Sequence, residues 1–433
     1  MRKLKFVLPG LLGLAVIAAV ALIQQRDEDS PLAENLAAPQ KAESTPVWPE
    51  RPGIKQTESD ASQADAGAEA MLARVFREIE GRNLGQALKL TETLLQQYPN
   101  YRLAHLIKGD LLLARTHPIQ DFGALKGAPR EQIEDLRAEA LKRLQGYREK
   151  PPADYVPRYL LQMRPDQRHA VVVDTERSRL YLYENDLSRG GRPRFVADYY
   201  ITQGKLGANK LNEGDKKTPI GVYHVTANLA RQKLPDLYGS GAFPINYPNE
   251  LDKREGRGGS GIWLHGTPSN TFARPPLASD GCVVLTNQDL DSIAGNMQVG
   301  LTPVIISNAI EWLSVDEWSR EREQFNQSIE AWRSDWESRD NDRYLKHYSK
   351  TFKANGQNFE QFAEQKRQVN ASKTWIKIKL DNLSMFRNPG KEDVLVVTFE
   401  QDYQSNNLTN RMKKRQYWVR ESGQWKIIYE GTA

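Results

Sequence analysis

Near His169 the hydrophobic period of this chain changes from helical to alternating, and beyond Asn308 it turns helical again before a second run of strands. Helices bury every third or fourth side chain and strands every second, so these switches exclude a single bundle or a single sheet. From Glu69, the residues Leu72, Val75, Phe76 and Ile79 recur at helical spacing. Leu88, Leu90, Leu94 and Leu95 follow, then a turn at Tyr98-Pro99-Asn100, then Leu103, Leu106 and Ile107. Another helix is expected over 130–147, closed by Pro151-Pro152. Strands are expected at 170–174, 179–183, 194–202, 221–226, 261–265, 282–285 and 302–306, with one helix over 287–297. After Asn308, Ser314 with Glu317 and Ser334 with Glu337 have capping-box spacing. A helix over 359–369 and strands at 375–380, 394–403, 411–420 and 424–429 complete an α+β pattern.

With 433 residues the chain has room for several cores. Apolar residues at 39% and charged residues at 27% are ordinary globular usage and exclude a polytopic membrane protein or a wholly disordered chain. The 60 basic residues barely exceed the 55 acidic ones, so no nucleic-acid partner is expected. The densest basic run, Arg411 to Arg415, reads as a solvated strand face. Arg2, Lys3 and Lys5 precede an apolar run from Phe6 to Ile23, which reads as an export segment. Its length favours an uncleaved anchor over a cleaved signal peptide, although Ala19-Val20-Ala21 offers a cleavage site. Residues 26–66, rich in Pro, Ala, Glu and Ser, read as a flexible linker. The helical region resembles one and a half tetratricopeptide units. That is too few for a solenoid, which favours a packing or homodimerising module over a peptide groove.

One cysteine excludes an intrachain disulfide and any zinc site built on several cysteines. It sits in Ser279-Asp280-Gly281-Cys282-Val283-Val284, downstream of Trp263-Leu264-His265-Gly266. A thiol attacks as thiolate and needs a base nearby; two adjacent strand ends could bring Cys282 and His265 together. A glycine before a nucleophile permits a tight turn that aims N–H groups at an oxyanion. His105 and His117 fall in the helical region, His169 opens a strand, His224 lies in another, and His347 is C-terminal. None has metal-ligand spacing, and no cofactor is expected. Gly256 to Gly261 spells Gly-x-Gly-x-x-Gly, but no apolar strand precedes it and no helix follows. It is read as a loop near the site mouth.

The His-Gly, the later Ser-x-Gly-Cys, the turn Thr218-Pro219-Ile220-Gly221 and the opening hairpin 171–183 together resemble the YkuD-type L,D-transpeptidase catalytic domain. The whole layout resembles the cell-shape L,D-carboxypeptidases of helical bacteria, which end in a nuclear transport factor 2-like cone. The resemblance implies a multidomain chain: export segment 1–25, linker 26–66, helical module 67–165, mostly-β catalytic domain 166–308 and α+β cone-like domain 312–433. It implies a periplasmic enzyme, with inner-membrane association possible through the anchor, acting on peptidoglycan stem peptides. Cys282 is the nucleophile, His265 the general base, and the Gly266 carbonyl orients the ring. Gly281 and Cys282 N–H groups bind the oxyanion, and Ser279 supports the loop. Trp263, Thr267 and Asp280 are the expected substrate contacts.

Two positions depart from the family pattern. Asp280 stands where His or Arg is usual, and a carboxylate there disfavours thiolate. Val284 stands where an Arg is common, which removes an expected contact for a substrate carboxylate. The sequence leaves hydrolysis and transpeptidation both open. The rival reading is a non-catalytic wall-binding scaffold. Trp332, Trp336, Tyr344, Tyr348 and Phe352 are assigned to the first helices of the cone, with Trp418, Trp425 and Tyr429 on its sheet. That C-terminal domain is expected to be separable after Asn308.

Overall fold

The structure, a computed structural model, describes residues 67–119, 121–123, 129–390 and 393–433. The export segment and the linker lie outside the described residues. Among the described residues no helix is long and apolar enough to cross a membrane. Two compact units are present, one up to Leu144 and one from Gln145 onward.

The first unit is built from α1 (Ala68–Glu80), α2 (Leu84–Gln97), α3 (Arg102–Leu113) and most of α4 (Arg130–Arg148). Met71, Leu72, Val75 and Phe76 of α1 are buried, as the helical spacing requires, as are Leu88 and Leu94 of α2. The buried Arg143 is paired with Glu139 at 2.8 Å and with Glu69.

The second unit opens with two strands, β1 (Tyr155–Pro157) and β2 (Leu160–Gln162), inside the stretch expected to be helical. Their partners lie far along the chain, so no local pattern announces them. The central sheet contains β3 (His169–Asp174), β4 (Arg179–Asp186) and β5 (Arg192–Tyr200). After β6 (Gln203–Gly204) come β7 (Gly221–His224), β8 (Leu229–Ala230), β9 (Gly241–Pro244), α5 (Glu250–Arg254), β10 (Trp263–His265), β11 (Leu277–Ser279), β12 (Val283–Val284), α6 (Asn287–Ala294) and β13 (Pro303–Ser307). One sheet has the order β5-β4-β3-β13-β7 and a second the order β12-β10-β9-β8.

The apolar run of β3 is continuous because both faces of its sheet are covered. Val171, Val173, Leu180, Leu182, Val304 and Ile306 face one core, shared with Leu264, Val283 and Leu290. Ala170, Val172, Tyr181, Tyr183 and Ile305 face another.

The C-terminal part runs through β14 (Trp312–Ser314), α7 (Val315–Glu337), α8 (Asn341–Leu345), β15 (Lys353–Ala354), β16 (Gln357–Asn358), α9 (Phe359–Ala371), β17 (Ile376–Arg387), β18 (Val394–Ser405), β19 (Leu408–Glu421) and β20 (Gln424–Thr432). Ser314 and Glu317 form a reciprocal capping box at the start of α7. Ser334 and Glu337 do not cap a helix. They lie inside α7, which continues because Trp318, Phe325, Ile329, Trp332 and Trp336 bury one unbroken stripe. The aromatics assigned to the cone are mostly core: Trp332, Trp418, Tyr344 and Phe352 are buried, whereas Trp425 and Tyr429 are only partly so. Glu430, buried among them, accepts from Lys414 Nζ at 2.6 Å, Gln416 Nε2 at 2.7 Å and Tyr348 Oη at 3.1 Å.

Packing ties the region expected to be separable after Asn308 to the catalytic sheet. Strand β2 pairs with β17, and β1 pairs with β14. The second face of the β3–β4 hairpin packs on Phe386, Val394, Val396, Tyr417 and Ile428 of the C-terminal sheet. Full burial of such a side chain contributes about 1.5–3 kcal/mol, so truncation there would strip the catalytic sheet of one of its cores. The basic run 411–415 also differs from expectation. Strand alternation turns Lys414 into the cone, whereas Arg415 pairs with Glu250 at 2.8 Å on the opposite face.

Candidate active site

His265 ends β10 and Cys282 immediately precedes β12. These strands pair in parallel, with Leu264 opposite Val283 and His265 opposite Val284. Imidazole and thiol are therefore diagonal neighbours across one ladder. The turn before the sulfur requires glycine. Gly281 has φ +126°, and a Cβ there would meet the Lys217 carbonyl at 2.7 Å. Ser279 braces the same turn: its hydroxyl accepts from Gly281 N–H at 3.1 Å and donates to the Cys282 carbonyl at 2.7 Å. The Gly281 N–H is thereby committed to Ser279, and the Cys282 N–H remains as the oxyanion donor from this turn.

The thiol donates to the Gly261 carbonyl at 3.4 Å, so the glycine-rich loop 256–261 reaches the nucleophile. His265 Nδ1 lies 2.7 Å from the Gly266 carbonyl. A carbonyl can only accept, so Nδ1 carries the proton and Nε2 is left as the basic nitrogen. Burial holds the His265 pKa down to about 4, with the Arg274 charge acting in the same direction and the Gly266 carbonyl opposing it. Burial pushes the Cys282 thiol above its usual value. Asp280 adds to this, while the Trp263 main-chain N–H, Arg274 and Lys210 pull it down. The resting site thus holds a neutral thiol beside a neutral imidazole.

Trp263 stacks on Tyr238 with centroids 4.7 Å apart, and Tyr238 meets the His265 ring edge-on at 5.1 Å. Asn287, the first residue of α6, staples this wall. Its Oδ1 accepts from the N–H groups of Ser240 at 2.9 Å and Thr267 at 3.1 Å, and its Nδ2 donates to the Thr267 carbonyl at 2.9 Å. A Cβ on Gly266 would meet that Oδ1 at 2.1 Å. Thr267 is buried and its hydroxyl donates to the Thr271 carbonyl at 2.8 Å. Its hydroxyl thus holds the loop. Asp280 is exposed, Trp263 is half-buried, and Val284 is buried against Thr202.

Sequence reasoning missed Arg274, Tyr238 and Asn287. Arg274 is half-buried and interacts electrostatically with Cys282, Asp280 and His265. Its carbonyl is pinned by Tyr200 Oη at 2.9 Å and Thr202 Oγ1 at 3.0 Å. The loss of a cation at position 284 was the available signal that another must supply one. Arg274 lies ten residues before that position, in the loop Arg274-Pro275-Pro276.

Residues 168–306 match the YkuD L,D-transpeptidase catalytic domain, and residues 324–431 match the Cds6 C-terminal NTF2-like domain. The structure of Bd1075 from Bdellovibrio bacteriovorus is 31% identical, covers 65% of this chain and 98% of its own, and superposes with a TM-score of 0.57. The chain belongs to the L,D-transpeptidase family. Within it, the subgroup carries the NTF2-like C-terminal domain. The helical cell shape determining protein Pgp2 from Campylobacter jejuni is 28% identical over 64% of this chain and 95% of its own, with a TM-score of 0.53. A search of curated proteins gave no match. As an L,D-transpeptidase domain, the region 168–306 has its His-Gly on β10 and its Ser-x-Gly-Cys at the β11–β12 turn.

Proposed function

We propose that this chain is an exported cysteine L,D-carboxypeptidase or L,D-transpeptidase that trims or cross-links peptidoglycan stem peptides and thereby shapes the cell. The reading is carried by the thiol and imidazole set one diagonal step apart, with the His265 proton fixed on Nδ1. Cys282 attacks the carbonyl at the L-centre of the diamino acid linked to a terminal D-Ala. Because both groups rest neutral, His265 Nε2 takes the thiol proton as the C–S bond forms. The tetrahedral oxyanion is met by the Cys282 N–H. Collapse breaks the C–N bond, His265 returns its proton to the departing amine, and a thioester remains. Water then releases a tripeptide, or the amine of a second stem makes a cross-link. Arg274 takes the place of the missing cation at 284 and meets the substrate carboxylate. The similarity to Pgp2 supports the cell-shape role, and the run 6–23 supports export to the periplasm.

Purified protein with a tetrapeptide muropeptide tests this reading. Tripeptide product means trimming, and dimers joined between the third residues mean cross-linking. Cys282→Ser and His265→Ala should each remove more than about 99% of turnover while circular dichroism stays unchanged, because nucleophile and base act as a unit. Substantial turnover by either variant would sink the assignment. Absence of product from folded wild-type protein would favour a wall-binding scaffold.

A further inference from the structure

The central sheet and the C-terminal sheet do not close completely at their edges. A cleft of about 490 Å³, its mouth included, lies between the ends of β7 and β13 on one side and β17 to β19 on the other. Its charged lining is one-signed: Arg164, Lys413 and Arg415, with the imidazole of His224 among them. Two of these cations are satisfied at the margin. Arg415 makes both its contacts to Glu250, at 2.8 and 3.0 Å, and Arg164 holds Asp166 at 2.6 Å. The Lys413 ammonium makes no ion pair or hydrogen bond among the described residues. Glu400 lies opposite it in register, but its oxygens are taken by Arg411 at 2.8 Å and Asn382 at 3.1 Å. The ring nitrogens of His224 also have no hydrogen-bond partner among the described residues; its main chain is held by Asn246, whose Oδ1 accepts from the His224 N–H at 2.8 Å and whose N–H donates to the His224 carbonyl at 3.2 Å.

With Arg164 and Arg415 already paired, the Lys413 ammonium is left partly desolvated beside two other cations and without an acceptor of its own, and an oxyanion would complete its coordination. We infer that this cleft is an anion site, in which Lys413 and His224 bind the oxygens of a carboxylate or phosphate group distinct from the group cleaved at Cys282. It is also coupled to the nucleophile by a short piece of chain. Thr218 Oγ1 donates to the Gly281 carbonyl at 3.0 Å, and six residues later the strand delivers His224 to the cleft. Six residues span at most about 20 Å. An acidic polymer engaged at Cys282, or a free oxyanion, could each supply the group.

Calorimetric titration of the full chain with inorganic phosphate and, separately, with N-acetyl-D-alanine tests the inference and separates the two sources. Saturable binding of either probe is expected, weakening as salt rises from about 20 to 300 mM. Lys413→Gln should weaken it at least about tenfold, a loss of about 1.4 kcal/mol, and Lys413→Arg should restore most of it. Cys282→Ala and Arg274→Gln should leave it unchanged, which separates this site from the catalytic one. Free His224 has its pKa held down to about 4, by burial first and then by Arg415 and Lys413, against the opposing charge of Glu250. The bound anion should move its NMR titration to higher pH, because it favours the imidazolium. Binding of phosphate alone or of the carboxylate alone identifies the source. No saturable binding of either probe, or binding undiminished in Lys413→Gln, overturns the proposal. Should Lys413→Gln not fold, His224→Gln carries the same comparison.

Discussion

At the scale of single residues, the site works with uncharged reactants, and that fixes its pH behaviour. His265 must be neutral to accept a proton, and burial keeps it neutral down to about pH 4. The kcat/KM profile for tetrapeptide should therefore stay flat from about pH 5 to neutrality and fall only near pH 4. An acid limb at the ordinary histidine value would show that His265 is not the base. Asp280 acts on the thiol through charge, after burial. Asp280→His should accelerate alkylation of Cys282 by iodoacetamide near neutral pH by about two- to tenfold. An unchanged rate would show that Asp280 does not control the sulfur. Arg274 bears on thiol, imidazole and Asp280 together. Arg274→Gln should lower kcat/KM about 10- to 100-fold, and Arg274→Lys should recover part of that. Equal activity in Gln and wild type would remove it from the site. Cys282 and His265 were legible because a lone thiol after a glycine is a rare pattern. Arg274 was not, since a loop cation acquires meaning only once the fold brings it back to the strands.

At the scale of elements, long periodic segments were readable and short strands were not. The β3–β4 hairpin, the α7 cap at Ser314 and the four C-terminal strands each carry their own local signal. Strands β1 and β2 have three residues each and pair with β14 and β17, so their sequence holds nothing to distinguish them from a loop. The basic run of β19 misled for a different reason. Charge suggests solvent, and Arg411 does stay exposed, yet Lys414 and Arg415 turn to opposite faces and each meets a carboxylate there. Lys414 meets Glu430 inside the cone, and Lys366 lies over the rings of Trp336 and Phe362 at 4.9 and 5.1 Å. Glu430 is the anion that balances both lysines. Although burial opposes ionisation, Lys414 and then Lys366 hold its pKa down to about 2. Its folded value lies below the unfolded one, so its stabilisation is present above about pH 4.5 and is lost as pH falls towards 2. Glu430→Gln should cost about 3–5 kcal/mol in urea unfolding at neutral pH, because it strands two buried ammonium groups. A cost under about 1 kcal/mol would mean that the lysines find other partners.

At the scale of the whole molecule, the catalytic and C-terminal regions share a core within one compact unit. Calorimetry should find a single transition for residues 145–433, and Phe386→Ala should lower it by about 3–5 kcal/mol although it sits far along the chain from the catalytic turn. Two resolved transitions within that region would separate the domains after all. The pairing of β2 with β17 has a further consequence in time. Gln162 hydrogen-bonds the Leu383 carbonyl, 221 residues later. A chain emerging N-terminus first holds its catalytic cysteine long before that partner exists. The scaffold around the thiol can settle only when nearly all of the polypeptide has been delivered, so a truncated product is left without a finished thiol site.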